Sequence, residues 1–186
     1  DSQSLKTLFF DEIYLSKIGY NIDNLMSVFI PNTYEVYWNL SPEAFMERML
    51  LEHKNFWKQN NRLAKAKAMG MTPEEVYTLA SIVEKETLSN SEKPTIAGTY
   101  LNRIKIGMRL QADPTVVFAT RDFATKRVTN AHTSFDSPFN TYMYAGLPPG
   151  PIAMASITSI DAVLNHDKHN YTYFCAVGDG SGLHAF

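Results

Sequence analysis

What the sequence has little of narrows the field first. It contains one cysteine, Cys175, so no disulfide can form within the chain. The setting of that cysteine, "YTYFCAVG", is apolar and strand-like, which predicts a buried structural thiol rather than a nucleophile. No apolar run reaches the roughly 18 residues of a membrane span, so neither a span nor a signal peptide is expected within it. Basic clusters are missing too. With 17 basic and 19 acidic residues the formal net charge is −2, and Lys and Arg form no stripe. Nucleic acid is therefore excluded as a main partner, because neutralising phosphates requires clustered cations. There is no internal repeat and no low-complexity segment. An initiating Met is also missing, and the chain stops in mid-pattern at "GLHAF", as an excerpt of a longer protein would.

What is present fits a soluble globular chain: 186 residues, 45% hydrophobic and 19% charged, enough for one domain with a real core. The aromatic share, 12%, suits packing in a core and equally suits a carbohydrate groove, where rings stack on sugar faces.

Helix signals dominate the pattern. "SLKTLFFDEIYLSKIGYN" reads as one short helix ending near Gly19. "SVFIPNTYEVYWNLSPE" reads as strand or extended chain with a turn at Pro31-Asn32. Ser41 caps an amphipathic helix that starts at Pro42 and carries Phe45, Met49 and Phe56 at helical spacing. "RLAKAKAMG" runs to a stop at Gly70. "MTPEEVYTLASIVEKET" has a strong start, with Thr72 as cap, Pro73 first in the helix and Glu75 completing a capping box. A further helix spans roughly Pro94 to Ile106 and ends at Gly107. Asp113 is read as the cap of a short helix opening at Pro114. From Arg121 to Pro151 the chain reads as mostly irregular, and a loop so long is functional or disordered; its aromatics argue against disorder. "SITSIDAVLN" is a helix with Ile157, Ile160 and Leu164 on one face, and "NYTYFCAVGDGSGLHAF" a hairpin turning at Asp179-Gly180.

The helix containing "VEKET" holds two acids. Its apolar stripe is Val76, Leu79, Ala80 and Val83. At helical spacing Glu84 lies roughly 90° from the centre of that stripe on one side, Glu86 roughly 70° away on the other, and Lys85 points to water. The two glutamates thus flank the buried face without facing each other. Either could be half-buried with a raised pKa, as a general acid requires. Neighbours on one helix turn cannot act as the opposed carboxylates of an ordinary glycosidase. Taken alone, such a pair is more often solvated surface charge. His166 and His169 are three apart in a polar stretch with no third ligand evident, so no metal site is expected. Ser81 and Ser137 have no histidine arrangement that suggests a triad.

Taken together, "FIPNTYE", "LASIVEKET", "NRIKIGMRLQADPTVVF", "SPFNTYMYAGLPPGPIA" and "YFCAVGDGSGLHAF" resemble, in order and spacing, the YceG-like (MltG) endolytic murein transglycosylases over about residues 29–186. The resemblance implies an enzyme that cuts the β-1,4 link from N-acetylmuramic acid to N-acetylglucosamine within peptidoglycan strands and leaves 1,6-anhydromuramic ends. It implies Glu84 as the catalytic residue, acid then base, and groove-lining or supporting roles for Glu86, Gln111, Asp113, Ser137, Asn140, Tyr142 and Leu147. It calls for no cofactor or metal. Its partners would be glycan strands and enzymes of cell-wall synthesis. Members of the family carry an N-terminal membrane anchor and a LysM-like subdomain. Residues 1–28 are accordingly expected to be a remnant of that subdomain or a linker, and 29–186 a catalytic domain cut short at its C-terminus. The catalytic part would lie on the periplasmic side of the inner membrane. The expected fold class is α+β: a mostly helical, lysozyme-like core, a small antiparallel β-element and a long Pro/Gly/aromatic loop. A raised Glu84 pKa is expected from the role the resemblance gives it.

The sequence departs from the family pattern at Phe139, where Tyr is usual, at Asn32, where Asp is usual, and in "AMASITSI", which replaces an "NPG" region. Two other readings stay open. A lysozyme-type hydrolase would need a second carboxylate across the cleft, with Asp113 or Asp136 as candidates. A silent glycan-binding module would need no acid.

Overall fold

The computed structural model describes residues 2–186. Its helices are α1 (Ser2–Phe9), α2 (Glu12–Lys17), α3 (Pro42–Lys58), α4 (Arg62–Ala68), α5 (Pro73–Glu86), α6 (Lys93–Lys105), α7 (Asp113–Thr120), α8 (Asn130–Thr133) and α9 (Ile157–Leu164), and the strands are β1 (Cys175–Ala176) and β2 (His184–Ala185). The class is α+β, mostly helical with one antiparallel pair in the register Cys175↔Ala185 and Ala176↔His184.

Helix α5 is the axis of the molecule. The Thr72 hydroxyl accepts from the Glu75 amide at 3.2 Å while the Glu75 carboxylate accepts from the Thr72 amide at 2.8 Å, which completes the capping box the sequence predicts. Val76, Leu79, Ala80 and Val83 are all fully buried, together with Tyr77 and Ile82 on adjoining faces. They pack with Ile96, Ala97 and Tyr100 of α6 and Ile160 and Val163 of α9 to form the main core. Each such large side chain contributes about 1.5–3 kcal/mol by leaving water. A second, smaller cluster joins Leu8, Leu15, Leu25 and Val28 to Met46 and Met49 of α3.

Several expectations are corrected. The first predicted helix is two, because the Asp11 carboxylate accepts from the Tyr14 amide at 3.0 Å and starts α2 afresh. No strand forms among residues 27–37; a 3-10 turn covers Leu25–Val28 and residues 29–41 are irregular. The reason is a side chain. The Tyr77 hydroxyl donates to the Phe29 carbonyl at 2.8 Å, so α5 supplies the partner that a neighbouring strand would have given. Asp113 opens α7 as its first residue instead of capping it. Cys175 is exposed, because the hairpin is only two strands wide and lies at the surface.

Between α8 and α9, residues 134–156 hold only turns and bends, yet Asn140, Thr141, Gly150 and Ala155 within them are buried. Gly150 is tight against the N-terminal segment: a Cβ there would sit 1.9 Å from the Asp23 carbonyl oxygen. No helix among the described residues is long and apolar enough to cross a membrane.

Candidate active site

The two acids of α5 face different surroundings. Glu84 turns toward the start of α9. Its Oε2 accepts from the Ser156 hydroxyl at 2.6 Å, the Ser159 hydroxyl at 2.5 Å, the Ser156 amide at 3.3 Å and the buried Lys93 ammonium at 3.2 Å. The carboxylate thus sits at a helix N-terminus, where backbone dipoles favour negative charge. Burial alone pushes its pKa up and is the largest single influence. The bonds from Ser156, Ser159 and Lys93 together outweigh it and hold the carboxyl below the ordinary value. That is opposite to the raised value expected of Glu84 as an acid.

Glu86 closes α5 and turns the other way. It is half-buried, and its Oε1 accepts from the Tyr100 hydroxyl at 2.6 Å. Tyr100 lies in the core, reached from α6. Desolvation dominates at Glu86 and pushes the carboxyl up. The Tyr100 bond pulls it down, the nearby Asp113 charge pushes up, and His184 and Arg103 pull down, leaving a net raised pKa. Arg103 is held in place rather than free: it donates to the carbonyls of Thr172 and Leu110.

Two hollows meet at Glu86. A smaller one of about 240 Å³ is lined by Glu86, Tyr100, Gln111, Asp113 and His184, among others. A larger one of about 740 Å³ again takes Glu86 and Asp113 into its wall and extends over Phe118, Phe123 and Arg127. The two carboxylates therefore stand where the hollows join. The Tyr142 hydroxyl donates to Asp113 at 2.5 Å. Burial, followed by that bond, pushes the Tyr142 pKa well above the ordinary phenol value, so its proton stays on oxygen.

A buried polar staple sets this geometry. The Thr141 carbonyl accepts from the Gln111 amide at 3.0 Å, and the Thr141 hydroxyl accepts from the Ala112 amide at 3.1 Å and pairs with the Thr115 hydroxyl at 2.8 Å. Residues 140–142 are so locked to the first turn of α7. Gln111 takes a left-handed φ of 49°, which leaves its side chain exposed at the hollow.

Of the residues the resemblance implied, the structure gathers Glu86, Gln111 and Asp113 into one cleft, with Tyr142 bonded to its wall. Asn140 is nearby but occupied. Its amide nitrogen donates to the carbonyls of Thr133 at 3.1 Å and Phe135 at 2.7 Å, and its amide oxygen accepts from the Tyr142 amide at 2.9 Å. Ser137 shapes the same turn, its carbonyl accepting from the Asn140 amide at 2.8 Å. Leu147 belongs elsewhere, in a hollow shared with Lys168 and His169 that does not include Glu86. Glu84 lines neither hollow at Glu86. Asp136 is exposed and accepts from the Tyr144 hydroxyl at 2.7 Å, outside both hollows.

Sequence reasoning missed Tyr100, the Thr115–Thr141 pair and the serines that hold Glu84. Tyr100 is 14 residues from its partner and the threonines are 26 apart, so no local spacing signals either contact. Ser156 opens the stretch that the sequence marks as the last helix, but no local spacing marks it as a donor to α5. Among the described residues no three His, Cys, Asp or Glu side chains converge as metal ligands. His166 and His169 instead make contacts to the carbonyl oxygens of Val163 and Thr95.

Comparison with known proteins places this geometry in context. The YceG-like family model matches residues 3–186. A Bacillus subtilis protein named endolytic murein transglycosylase is 42% identical over 105 residues, covering 56% of this chain and 29% of its own length. A Streptococcus pneumoniae protein of the same name is 30% identical over 151 residues, covering 78% of this chain and 27% of its own. The chain thus spans under a third of the curated relatives it matches. A crystal structure of a yceG-like protein from Listeria monocytogenes superposes with a TM-score of 0.80 at 28% identity, covering all of this chain and 64% of that one.

Proposed function

The chain belongs to the YceG-like family, and from that premise we propose that it carries the catalytic unit of an endolytic lytic transglycosylase acting on peptidoglycan glycan strands, with Glu86 rather than Glu84 as the acid and base. The observation that carries the assignment is the contrast between the two glutamates. Glu86 opens onto a cleft, and burial raises its carboxyl pKa, so it keeps its proton to higher pH than an ordinary glutamate does. Glu84 has four donors on its Oε2 and is kept ionised. A group that must first give a proton and then take one needs access and a pKa near the working pH.

The chemistry then needs only one carboxyl. Protonated Glu86 gives its proton to the glycosidic oxygen as that oxygen leaves the muramoyl C1. The resulting carboxylate takes the proton of the same sugar's C6 hydroxyl as O6 bonds to C1, which closes the 1,6-anhydro ring. No water is consumed, and Glu86 ends protonated as it began. The nucleophile is tethered to the ring it attacks, and a well-oriented intramolecular attack carries an effective molarity on the order of 10⁵ M or more. Asp113, at the junction of the hollows, is placed to stabilise positive charge developing at C1. Gln111, neutral and exposed, suits hydroxyl or acetamido groups. The helical surroundings of the acid support the lysozyme-like description of the core. Residues 1–28 would be the remnant or linker, packed onto α3 of the catalytic part through the second apolar cluster. Because the substrate is wall glycan, the unit would act on the outer side of the cytoplasmic membrane, alongside wall-synthesis enzymes.

Asp113 beside Glu86 also favours a specific competitor, a hydrolase using two carboxylates. Digestion in ¹⁸O water separates the two. Anhydro-ended fragments without ¹⁸O are expected; reducing ends carrying ¹⁸O would replace this reading with the hydrolase.

A further inference from the structure

The larger hollow has features that cutting a glycosidic bond does not require. Three cations line it: Lys85 from α5, and Lys126 and Arg127 from the segment between α7 and α8. None of them lines the smaller hollow. All three are exposed, and no side-chain hydrogen bond or ion pair to them occurs among the described residues. Elsewhere around the cleft the cations are committed. Arg103 is spent on two backbone carbonyls and on the rings of Tyr100 and Tyr173. Phe123 stands exposed in the same wall as the three free cations. The hollow therefore offers one exposed aromatic ring, that of Phe123, and three unpaired positive charges, joined to the acid through Glu86 and Asp113.

A strand stripped of its stems carries a single carboxylate per muramoyl sugar, that of the lactyl ether, too few to engage all three cations. The muramoyl sugar differs from its neighbour by a lactyl ether, and in the intact wall that ether bears a short peptide with free carboxylates. We propose that the larger hollow is a subsite for this peptide stem, with Phe123 supporting the sugar or the apolar part of the stem and Lys85, Lys126 and Arg127 reading its carboxylates. The proposal rests on the transglycosylase reading and deepens it: the substrate class becomes stem-bearing glycan, with anionic stems preferred over amidated or missing ones. The cations supply a long-range attraction that is screened by salt, so the preference is a low-salt property that fades as the Debye length shortens.

Two measurements test it, arranged so that the two readings fail separately. The first is binding to the Glu86→Gln variant, followed by fluorescence anisotropy. Three labelled glycan fragments of equal length are compared: stem-free, bearing stems with free carboxylates, and bearing stems whose carboxylates are amidated. The acidic-stem fragment is expected to bind tightest, and the double substitution Lys126→Gln, Arg127→Gln to reduce that advantage by about fivefold for each pair lost, the upper range for an exposed ion pair. Equal binding of all three fragments, or an advantage untouched by the double substitution, would overturn the subsite whether or not the protein cuts anything. The second is the ratio of kcat/KM on acidic-stem and stem-free strands with the unmodified chain. A ratio above one that falls in the double variant supports the subsite, and a ratio of one refutes it. Failure to cut either strand would count against the transglycosylase reading and leave the binding result to decide the subsite.

Discussion

Replacing Glu84 by Gln should destabilise the fold while leaving the cleft chemistry in place. The change removes a charge and keeps the shape. The Ser156 and Ser159 hydroxyls retain an oxygen acceptor, but Lys93, with a side chain only 5% exposed, loses the counterion 3.2 Å away. Removing one member of a buried ion pair costs about 3–5 kcal/mol. The Glu84 side chain is still 27% exposed, so water screens part of the interaction. A cost of about 2–3 kcal/mol is therefore expected. For a chain of this length that corresponds to a fall in Tm of about 5–10 °C. The pH dependence gives a second handle. The folded-state pKa of Glu84 lies below the ordinary 4.5. Its contribution is therefore complete above the unfolded value and disappears as pH falls through the folded one. Thermal or urea unfolding of wild type and Glu84→Gln from pH 8 to pH 3 should show a constant gap down to about pH 5 that closes below it. Equal stabilities at pH 7, or a gap that persists unchanged at pH 3, would refute the anchoring role.

Other substitutions probe the cleft and its supports. Glu86→Gln should be at least as stable as wild type at neutral pH. A raised carboxyl pKa means that ionisation above the unfolded value works against folding, so a neutral amide removes that penalty; a fall in Tm at pH 7 would contradict it. Tyr100→Phe deletes a donor that lowers the Glu86 pKa, so the limb on which activity declines with rising pH should move to higher pH; an unmoved limb would argue against Glu86 as the titrating acid. Asn140→Ala strands two carbonyls and one amide in a buried turn and should cost about 2–4 kcal/mol in chemical denaturation. Gly150→Ala forces a Cβ against the Asp23 carbonyl and should cost about 1–3 kcal/mol; a neutral result would mean that the loop and the N-terminal segment part easily.

Much of the helical scaffold was legible because its signals are local. Thr72, Pro73 and Glu75 announce α5, Ser41 and Pro42 announce α3, and both appear where the pattern puts them. The stripe on α5 also predicted that Glu84 and Glu86 would flank the core on opposite sides, and they do. Helical geometry did not say which environment each would meet, since that depends on Ser156, Ser159 and Lys93 on one side and Tyr100 and Asp113 on the other. The missing strand after Val28 and the exposed Cys175 fail for one reason. Period-two patterns mark extended chain but do not reveal whether a partner strand or a covering layer exists, and Tyr77 and the narrow hairpin decide those questions from a distance. The resemblance gives Asn140 a groove-lining or supporting role, yet its amide is consumed by backbone within its own turn.

The most direct measurement is mass spectrometry of peptidoglycan digested by wild type, Glu84→Gln and Glu86→Gln, each first confirmed as folded. Wild type should release 1,6-anhydromuramoyl ends. Glu84→Gln should still release them, and Glu86→Gln should lose them by about 10²-fold or more, the usual contribution of a general acid–base group. Anhydro ends that persist with Glu86→Gln and vanish with a folded Glu84→Gln would contradict the assignment and return the catalytic role to Glu84.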